Sequence, residues 1–515
     1  MTPAIPGEAD LAFATVTELA RLLAAGRVSP VDLAEVCVGR LERLGPGLNA
    51  VATVMRDRAL REARRAESAR ARDAGTRGLP LSAAQGRGGA GAPRRRADGR
   101  GALHGIPYGA KDLLAARGAP TTWGAAPYRD QRFERDATAV QKLGQAGAVL
   151  AAKLAMVELA GGGGYRYASA SLQGPGLNPW DLRRWSGGSS SGSAAAVAAG
   201  LVPFAIGSET SGSIITPASY CGVTGLRPTY GLVSRYGAMA LSWTLDKLGP
   251  MAHSAEDCAL VLEAIAGADR RDPTCAGRRF RYAPLEPAAR RRLRLGFAPA
   301  DFEDLAADAA RPVFAAALAA LRGLGAEWVE VALPDDLPYG TLVGTVLGAE
   351  AGAIFGDLIE SDALELLVDA KQKAGLRAYL GISARDYLDA MRLRVRVQQA
   401  FRDLFTRIDV LVCGGRPGPA TPIDQPLDAR PPAAESRAAD ERPRRPANPA
   451  LIPAGNLAGV PALCLPCGFV PQGPKGLPLA LQFVGRPFDE NTLVSLGAWY
   501  QAQTDWHRRR PPLED

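Results

Sequence analysis

Two clusters of glycine and serine, separated by a short apolar stretch, constrain this chain more than any other feature of its sequence. They lie at residues 186–193 and 207–213, and an alanine-rich segment followed by an apolar run connects them. Glycine allows tight turns and close approach of the backbone to a ligand, whereas serine supplies hydroxyl groups and helix caps. A flexible linker would not carry an apolar segment at its centre. We therefore interpret residues 186–217 as two loops on a rigid, buried support, the usual way in which enzymes present catalytic groups.

The chain after its first hundred residues alternates short apolar runs with helical segments, which favours a layered α/β fold. Residues 148–152 and 203–206 have the composition of buried strands, and residues 141–147 and 193–199 have helical patterns. We expect a single large α/β/α domain, built around a mixed β-sheet, over residues 102–515.

Three further segments complete the predicted organisation. Residues 1–71 are predicted to form an N-terminal helical segment that packs on the main domain, since capping residues precede its amphipathic stretches. Residues 72–101 are rich in glycine and arginine without an apolar period, which indicates a loop. Residues 416–450 are rich in proline and charge and are predicted to form a long surface loop.

The distribution of charge and apolar residues limits the classes of partner. Residues 70–100 hold eight arginines and two aspartates, which accounts for six of the eight net positive charges of the chain. Because this segment lacks interleaved aromatic residues, we interpret it as a solvated loop and do not expect nucleic-acid binding. No run of 18 apolar residues and no basic, then apolar, N-terminal start occur, so we expect no membrane segment and a cytoplasmic protein.

Cysteine and histidine are too few and too scattered to predict a metal site. Seven cysteines occur, and only Cys464 and Cys467 are spaced as a C-x-x-C pair, without the second pair that structural zinc requires. Their apolar surroundings indicate buried, reduced thiols in a strand. The chain has three histidines, His104, His253 and His507, and this small number limits any mechanism that uses a histidine base. These residues therefore predict no metal site.

Ser190 stands at the centre of a G-x-S-x-G pattern at residues 188–192, which also occurs in the nucleophile elbow of α/β-hydrolases. That fold requires a strand before the elbow and an acid and a histidine after it. Residues 178–185 are polar and turn-like, and neither His253 nor His507 is in a position that suggests a base. The pattern therefore does not predict such a hydrolase.

Two other features are better candidates for catalysis. Residues 207–213 follow an apolar strand, and successive N–H groups of such a turn can converge on one oxygen atom, although an ordinary capped turn has the same composition. Lys111 lies among small and apolar residues, where burial disfavours the ammonium and can produce a neutral base near pH 7. A surface pair with the adjacent Asp112 is the alternative, but neighbouring residues of a strand point to opposite faces.

At these points the sequence resembles the amidase signature family, most strongly over residues 102–270. The resemblance is carried by GGSSSGSAAA at 187–196, GSETSGSIITP at 207–217, CGVTGLRPTYG at 221–231 and LDKLGPM at 245–251. A match of this length is far more specific than a lone G-x-S-x-G pattern.

The resemblance implies a Ser–Ser–Lys triad. Ser213 is expected to attack the amide carbonyl, and Ser189, after a cis peptide bond from Gly188, to connect it to the base Lys111. Ser190 is expected to support this network by hydrogen bonding. The resemblance also implies that the reaction needs no metal and no organic cofactor. The backbone N–H groups of four residues are expected to form the oxyanion hole: Thr210, Ser211, Gly212 and Ser213.

Three positions depart from the pattern of the family. Ser211 and Ser191 replace glycines, and Ile215 replaces an arginine, so any ion pair of that arginine must be absent. Ser211 fits the turn only if its φ is negative or the strain is absorbed. None of these changes removes a residue of the triad.

The resemblance implies an amidohydrolase that cleaves linear carboxamides, with esters or carbamates accessible to the same acyl chemistry. The alternative is the A subunit of the glutamine-dependent aspartyl/glutamyl-tRNA amidotransferase, which works with partner subunits. Since Ser211 and Ile215 depart from the tRNA-linked branch, the sequence favours the stand-alone enzyme, with a small-molecule amide as its ligand. A homodimer remains open.

The substrate pocket is the least defined part of the prediction. By family position, the resemblance implies that Gly161, Gly162 and Gly163 line it. Four consecutive glycines also imply a mobile or closely approached backbone. The sequence identifies no charged group as an anchor for a substrate carboxylate.

Overall fold

The computed structural model describes residues 7–76, 101–428 and 445–513, in which thirteen strands and sixteen α-helices are present. The strands are β1 Val51–Val54, β2 Pro107–Lys111, β3 Val149–Leu154, β4 Leu177–Asn178, β5 Asp181–Trp185, β6 Phe204–Glu209, β7 Thr224–Arg227, β8 Lys247–Ala252, β9 Arg294–Phe297, β10 Glu327–Glu330, β11 Val410–Gly414, β12 Ala462–Val470 and β13 Leu477–Gly485. The helices are α1 Glu8–Ala12, α2 Val16–Ala24, α3 Pro30–Arg43, α4 Arg56–Thr76, α5 Thr138–Gln145, α6 Ser191–Ala198, α7 Ile215–Cys221, α8 Ala255–Ile265, α9 Pro299–Glu303, α10 Arg311–Arg322, α11 Tyr339–Ile354, α12 Gly356–Ile359, α13 Ala370–Tyr379, α14 Ala384–Arg407, α15 Leu451–Ala458 and α16 Glu490–Gln503.

Eleven of the strands form one continuous mixed sheet in the order β1-β3-β2-β6-β8-β7-β12-β13-β11-β9-β10. Strand β2 pairs in parallel with both β3 and β6, and β9 pairs in parallel with β10 and β11. The other pairs of this sheet are antiparallel. The mixed sheet predicted from the sequence is therefore confirmed.

Successive side chains along the strands point to opposite faces of the sheet and contribute to two large hydrophobic cores, one on each face. In β6, Phe204 and Ile206 belong to one core and Ala205 belongs to the other. Helices α5, α8, α10 and α16 contribute to the first core, whereas α3, α6, α7 and α15 contribute to the second. This arrangement is the α/β/α layering expected from alternating strand and helix patterns.

The central apolar stretch between the two Gly/Ser clusters is completely buried, as expected for a support. Helix α6 and strand β6 have no exposed residue between them. Small side chains make this possible, because the alanines of α6 let the helix lie close to β3 and β6. The two clusters are thus fixed at either end of a rigid unit.

The N-terminal helices α2 and α3 contribute buried side chains to the two hydrophobic cores. Thr15 and Glu18 form a capping box at the start of α2, and Ser29 and Asp32 form another at the start of α3. Helix α4 continues to Thr76. Residues 77–100 of the predicted Gly/Arg-rich loop are not among the residues that the structure describes. The same holds for residues 429–444 of the predicted proline-rich loop.

Several strands were not expected. Strand β1 lies inside residues 1–71, which were predicted to be helical, and it pairs with β3 at the edge of the main sheet, so the N-terminal segment is not purely helical. Strands β4 and β5 form a separate two-stranded sheet, in which Leu182 and Arg183 are exposed. This exposure accounts for the polar character of residues 181–185. The prediction that no strand precedes the first cluster was therefore wrong. Strand β8 contains Gly249 and Pro250, which weaken a strand pattern, yet it pairs with all six residues of β6. Within the described residues, no helix is both long and apolar enough to cross a membrane.

Helix α13 packs directly on the loop of four glycines. A Cβ atom placed on Gly375 of α13 would lie 1.8 Å from the carbonyl oxygen of Gly163, and one on Gly163 would lie 2.3 Å from the carbonyl oxygen of Gln372. Glycine at both positions therefore allows two backbones to touch.

This contact predicts a difference between two glycine-to-alanine variants. Gly375→Ala should lower the free energy of unfolding by about 1–3 kcal/mol, because backbone atoms must separate to admit the methyl group. Gly344→Ala on the exposed face of α11, where a Cβ meets nothing within 4 Å, should instead stabilise the protein by about 0.5–1 kcal/mol. Urea unfolding of both variants measures the difference, and equal effects would contradict the close contact.

Candidate active site

Lys111 lies at the end of β2, fully buried, with three serine hydroxyls around its amine. Its Nζ atom is 2.7 Å from Ser189 Oγ, 3.0 Å from Ser190 Oγ and 2.9 Å from Ser208 Oγ. An amine has three positions for hydrogen bonds besides its bond to carbon, and all three are occupied. The structure thus brings Lys111 and Ser189 together from positions 78 residues apart.

The pair between Lys111 and its neighbour Asp112 does not form. Asp112 accepts hydrogen bonds from Lys153 Nζ at 2.6 Å and from Thr122, on the opposite side of β2. Both Lys153 and Asp112 are fully buried. Alternation along the strand therefore leaves Lys111 without a carboxylate partner, as its position in a strand suggested.

Burial lowers the pKa of Lys111 to about 7, although the negative charges of Asp246 and Glu209 act to raise it. Three hydroxyl groups stabilise an ammonium less well than a carboxylate does, so desolvation is the dominant effect. The amine is consequently neutral in a large fraction of molecules near pH 7, which is the property that a general base needs.

The first Gly/Ser cluster carries the cis peptide bond between Gly188 and Ser189 that the resemblance implied. Ser190 follows, fully buried, and donates its hydroxyl hydrogen to the carbonyl of Ser208 at 3.2 Å while its oxygen accepts from the N–H of Ser208. The hydrogen-bond partners of the Ser190 hydroxyl within the described residues are Lys111 and Ser208, and no histidine is among them. This arrangement differs from that of a nucleophile elbow and fits a supporting residue.

Ser213 lies in the second cluster, beside the first. Its carbonyl oxygen accepts a hydrogen bond from the N–H of Ser190 at 3.3 Å. In the described parts of the chain, Ser213 Oγ has no hydrogen-bond partner, so the structure shows no direct bond from Ser213 to Ser189. The residue is largely buried, with 9% of its surface exposed.

The turn around Ser213 is held by Glu209, which sequence reasoning did not identify. The carboxylate accepts hydrogen bonds from the N–H groups of Ile214 and Ile215 at 2.8 and 3.0 Å. It also pairs with Arg227 at 2.8 Å and accepts from Asn456 at 2.8 Å. Burial opposes ionisation of Glu209, but these partners prevail and lower its pKa to about 2. Its only signal in the sequence was an acidic residue beside a Gly/Ser turn.

A second buried carboxylate fixes the other end of the turn. Asp246 accepts a hydrogen bond from Thr210 Oγ1 at 2.6 Å and from the N–H groups of Leu241 and Ser242. Burial nevertheless raises the pKa of Asp246 above its ordinary value. Thr210 therefore has a structural partner through its side chain, and its backbone remains in the turn.

The departures from the family pattern are accommodated locally. Ser211 does not have a positive φ, which meets the condition for a side chain at this position, whereas Gly212 has φ +92°. Ile215 is fully buried in the second core, where an unpaired arginine would be costly. Ser191 donates a weak hydrogen bond to the carbonyl of Ala155 at 3.4 Å.

Comparison with known proteins agrees with this geometry. The family model described as Amidase matches residues 88–494, which is most of the chain. The chain belongs to the amidase family.

The proteins that resemble this chain include A subunits of an amidotransferase, found by sequence, and a peptide amidase, found by structure. The A subunit of glutamyl-tRNA(Gln) amidotransferase from Chloroflexus aurantiacus is 35% identical, with 98% of this chain and 99% of that protein covered. Its counterpart from Azoarcus sp., which has the same name, is 38% identical over 97% of this chain and 99% of its own. The solved structure of the peptide amidase of Stenotrophomonas maltophilia matches with a TM-score of 0.75 and 29% identity, over 97% of this chain and 98% of that chain.

Two cavities adjoin the serine turn of this amidase. One of about 180 Å³ is lined by Ser208, Thr210, Asp246 and Trp243. The other, of about 360 Å³, is lined by Ser211 and by residues of β11, β13 and α15.

The three glycines that were predicted to line the substrate pocket, Gly161, Gly162 and Gly163, do not line either of these two cavities. Gly163 contacts the backbone of α13, and a Cβ on Gly162 would meet Leu241 at 2.9 Å. Ala160, the residue directly before these glycines, is one of the residues that line the smaller cavity. A role of Gly161, Gly162 and Gly163 toward substrate stays a prediction.

The anchoring of the turn by Glu209 predicts a large effect of its charge on stability. Glu209→Gln should lower the free energy of unfolding by about 3–5 kcal/mol, because Arg227 is then left as a buried, unpaired charge. The double variant Glu209→Gln, Arg227→Met removes both charges and should recover a large part of the loss. Chemical unfolding of the two single variants and the double variant gives the coupling free energy, and an additive result would show that the pair does not hold the turn.

Proposed function

We propose that this chain cleaves the C–N bond of a carboxamide through an acyl-enzyme formed on Ser213, with Ser189 as the bridging hydroxyl and Lys111 as the base. The observation that carries the proposal is the buried amine of Lys111, hydrogen-bonded to Ser189 at 2.7 Å and with a pKa lowered to about 7. Membership of the amidase family supports the reaction class.

The hydrogen bonds around Lys111 support a defined direction of proton transfer. A neutral amine has two N–H donors and one lone pair. Ser190 already donates its own hydrogen to Ser208, so its oxygen accepts one N–H from the amine. With Ser208 Oγ accepting the second N–H, the lone pair is left for the hydroxyl hydrogen of Ser189. Ser189 can then pass its proton to Lys111 and take one from Ser213.

The reaction follows in balanced steps. Ser213 Oγ adds to the amide carbonyl as its proton passes through Ser189 to Lys111. The same path returns the proton to the departing nitrogen, which leaves as ammonia or an amine. Water then attacks the acyl group on Ser213 and loses its proton along the relay, which releases the carboxylic acid and restores the serine.

The turn offers donors for the negative oxygen of the tetrahedral intermediates. Within the described residues, the backbone N–H groups of four residues donate to no acceptor of the protein: Thr210, Ser211, Gly212 and Ser213. Free N–H groups at a tight turn are the donors of an oxyanion hole. Glu209 and Asp246 hold both ends of this turn, so the donors are fixed before substrate binds.

A second function has a specific observation in its favour. The two relatives compared by sequence both carry the name of the glutamyl-tRNA(Gln) amidotransferase A subunit, and they match over nearly their whole length. The sequence comparison thus favours one component of an amidotransferase, which would release ammonia from glutamine beside partner subunits, over the stand-alone amidase that Ser211 and Ile215 suggested. The similarity to a peptide amidase structure supports the stand-alone enzyme.

Ammonia release separates these functions. The isolated chain should release ammonia from simple primary amides such as butyramide if it acts alone. If it is one component of a complex, glutamine should be hydrolysed only after addition of the other subunits of a bacterial amidotransferase and charged tRNA. Ser213→Ala serves as the control in both assays, and ammonia release that survives in this variant would remove Ser213 from the proposed mechanism.

The lowered pKa of Lys111 predicts how activity depends on pH. Because the base must be neutral, kcat/KM should rise about tenfold per pH unit below pH 7 and level off above it. Lys111→Met should lower kcat/KM by at least about 100-fold, whereas Lys475→Met, at an exposed lysine, should retain the wild-type profile. A profile that is flat from about pH 5.5 to 8 while the circular dichroism of the protein is unchanged would contradict a lysine base.

A further inference from the structure

The larger of the two cavities beside the serine turn contains polar groups that no part of the described protein uses. It has a volume of about 360 Å³, and its walls include Ser211, Asp301, Arg416, Ile452 and Gln482. This volume is near the lower end of the range for small-molecule sites. The cavity therefore suits a small ligand.

Gln482 forms part of the cavity wall and has an unsatisfied carboxamide. It lies on β13 opposite Cys413 of β11 and Cys464 of β12, and it is 1% exposed. Among the described residues, neither its Oε1 nor its Nε2 atom has a hydrogen-bond partner. Buried carboxamides are nearly always hydrogen-bonded, so two orphaned atoms at a cavity wall indicate a site for a polar ligand.

Arg416 is the second such group. It is half-buried, its Nε atom is buried without a partner, and it forms no ion pair with any described residue. Its guanidinium lies 6.0 Å from the centre of the Tyr220 ring, which holds the planar group against an aromatic face. Arginine is the side chain best suited to bind a carboxylate through paired hydrogen bonds.

The position of Arg416 is fixed by the preceding glycine. Gly415 donates its N–H to the carbonyl of Ala480 at 2.7 Å. A Cβ at Gly415 would lie 3.0 Å from Ser219 Oγ and 3.1 Å from Cys464 Sγ. The chain therefore passes directly over α7, the helix that begins two residues after Ser213.

The negative charge in the cavity is already engaged. Asp301 accepts hydrogen bonds from the backbone N–H of Asn448 at 2.5 Å and from its side-chain amide at 3.0 Å. It also accepts from Cys413 Sγ at 3.3 Å. The side-chain groups left for a ligand are thus the guanidinium of Arg416, the carboxamide of Gln482 and the hydroxyl of Ser211.

The cavity lies next to both catalytic loops. Ile452 lines it, and a Cβ on Gly212 would be only 3.1 Å from Ile452 Cγ2. The ring of Tyr220, against which Arg416 lies, also packs on the ring of Trp185. Trp185 in turn lies next to the first Gly/Ser cluster, because a Cβ atom placed on Gly188 would be 2.8 Å from the Trp185 ring. A ligand in the cavity would thus be a short distance from the turn that carries Ser213.

We propose that the substrate is a small carboxamide with a carboxylate at the end remote from the scissile bond, and that Arg416 and Gln482 bind this carboxylate in the 360 Å³ cavity. The inference rests on the proposed amide cleavage and extends it to a substrate class. Arg416 supplies the positive charge and two N–H donors, and Gln482 Nε2 donates a further hydrogen bond.

The proposal is tested with a series of dicarboxylic acid monoamides, from malonamate to adipamate, each compared with the neutral primary amide of equal length. One member of the acidic series should have a higher kcat/KM than its neutral counterpart. Arg416→Met should lower kcat/KM for that acid by about 10- to 100-fold, mainly through KM, and change the value for the neutral amide less than about twofold. Arg416→Lys should recover part of the loss because it restores the charge.

Two controls keep this result separate from the reaction itself. Arg385→Met, at a side chain that is 90% exposed, should leave both series unchanged. Calorimetric binding of glutarate to Ser213→Ala, with and without Arg416→Met, requires no turnover and should be weakened by the second substitution.

The proposed reaction and the proposed carboxylate site can be overturned independently. Binding of glutarate that depends on Arg416 without cleavage of any amide would overturn the proposed reaction and retain the carboxylate site. Equal loss for acidic and neutral amides in Arg416→Met, or glutarate binding indifferent to this substitution, would overturn the carboxylate site.

Discussion

The burial of one amine among three hydroxyl groups is the constraint on which the rest of the site depends. Lys111 can remain in the interior because Ser189, Ser190 and Ser208 satisfy its hydrogen bonds without supplying a countercharge. A carboxylate in place of any of them would stabilise the ammonium and raise the pKa of Lys111. The neighbouring lysine shows the contrast, since Lys153 has the carboxylate of Asp112 at 2.6 Å. Two buried lysines on adjacent strands thus have different partners.

The mixed sheet explains how residues so distant in sequence reach the same point. Strands β2 and β6 are parallel neighbours, so Lys111 at the end of β2 meets Ser208 near the end of β6. The two Gly/Ser clusters lie at the ends of the unit made of α6 and β6, and the hydrogen bond from Ser190 to Ser213 joins them. Because helix α6 is made of small residues, both clusters approach closely enough to share the amine.

The sequence predicted the local features of this site and missed those that depend on distant partners. The serine clusters, Lys111 and the mixed α/β sheet could be inferred because Gly/Ser composition, apolar context and alternation are local signals. Glu209 could not be recognised as an anchor, since its partners Arg227 and Asn456 come from separate elements. Arg416 was assigned to a predicted surface loop, and only packing beside Tyr220 reveals its place in a cavity wall. Strand β5 was missed because an exposed two-stranded sheet keeps polar residues.

The charges beneath the serine turn also account for a base near neutrality. Burial alone would lower the pKa of Lys111 further, and the negative charges of Glu209 and Asp246 oppose it. Lys247 of β8 lies opposite Glu209 of β6 in the strand register, but its Nζ atom has no hydrogen-bond partner among the described residues, and burial and the charge of Arg227 hold its pKa well below the ordinary value. Arg227 therefore neutralises Glu209 directly, and Lys247 adds little positive charge near Lys111. The carboxylates that fix the turn thus also raise the pKa of Lys111, so the geometry of the serine turn and the protonation of Lys111 depend on the same two residues.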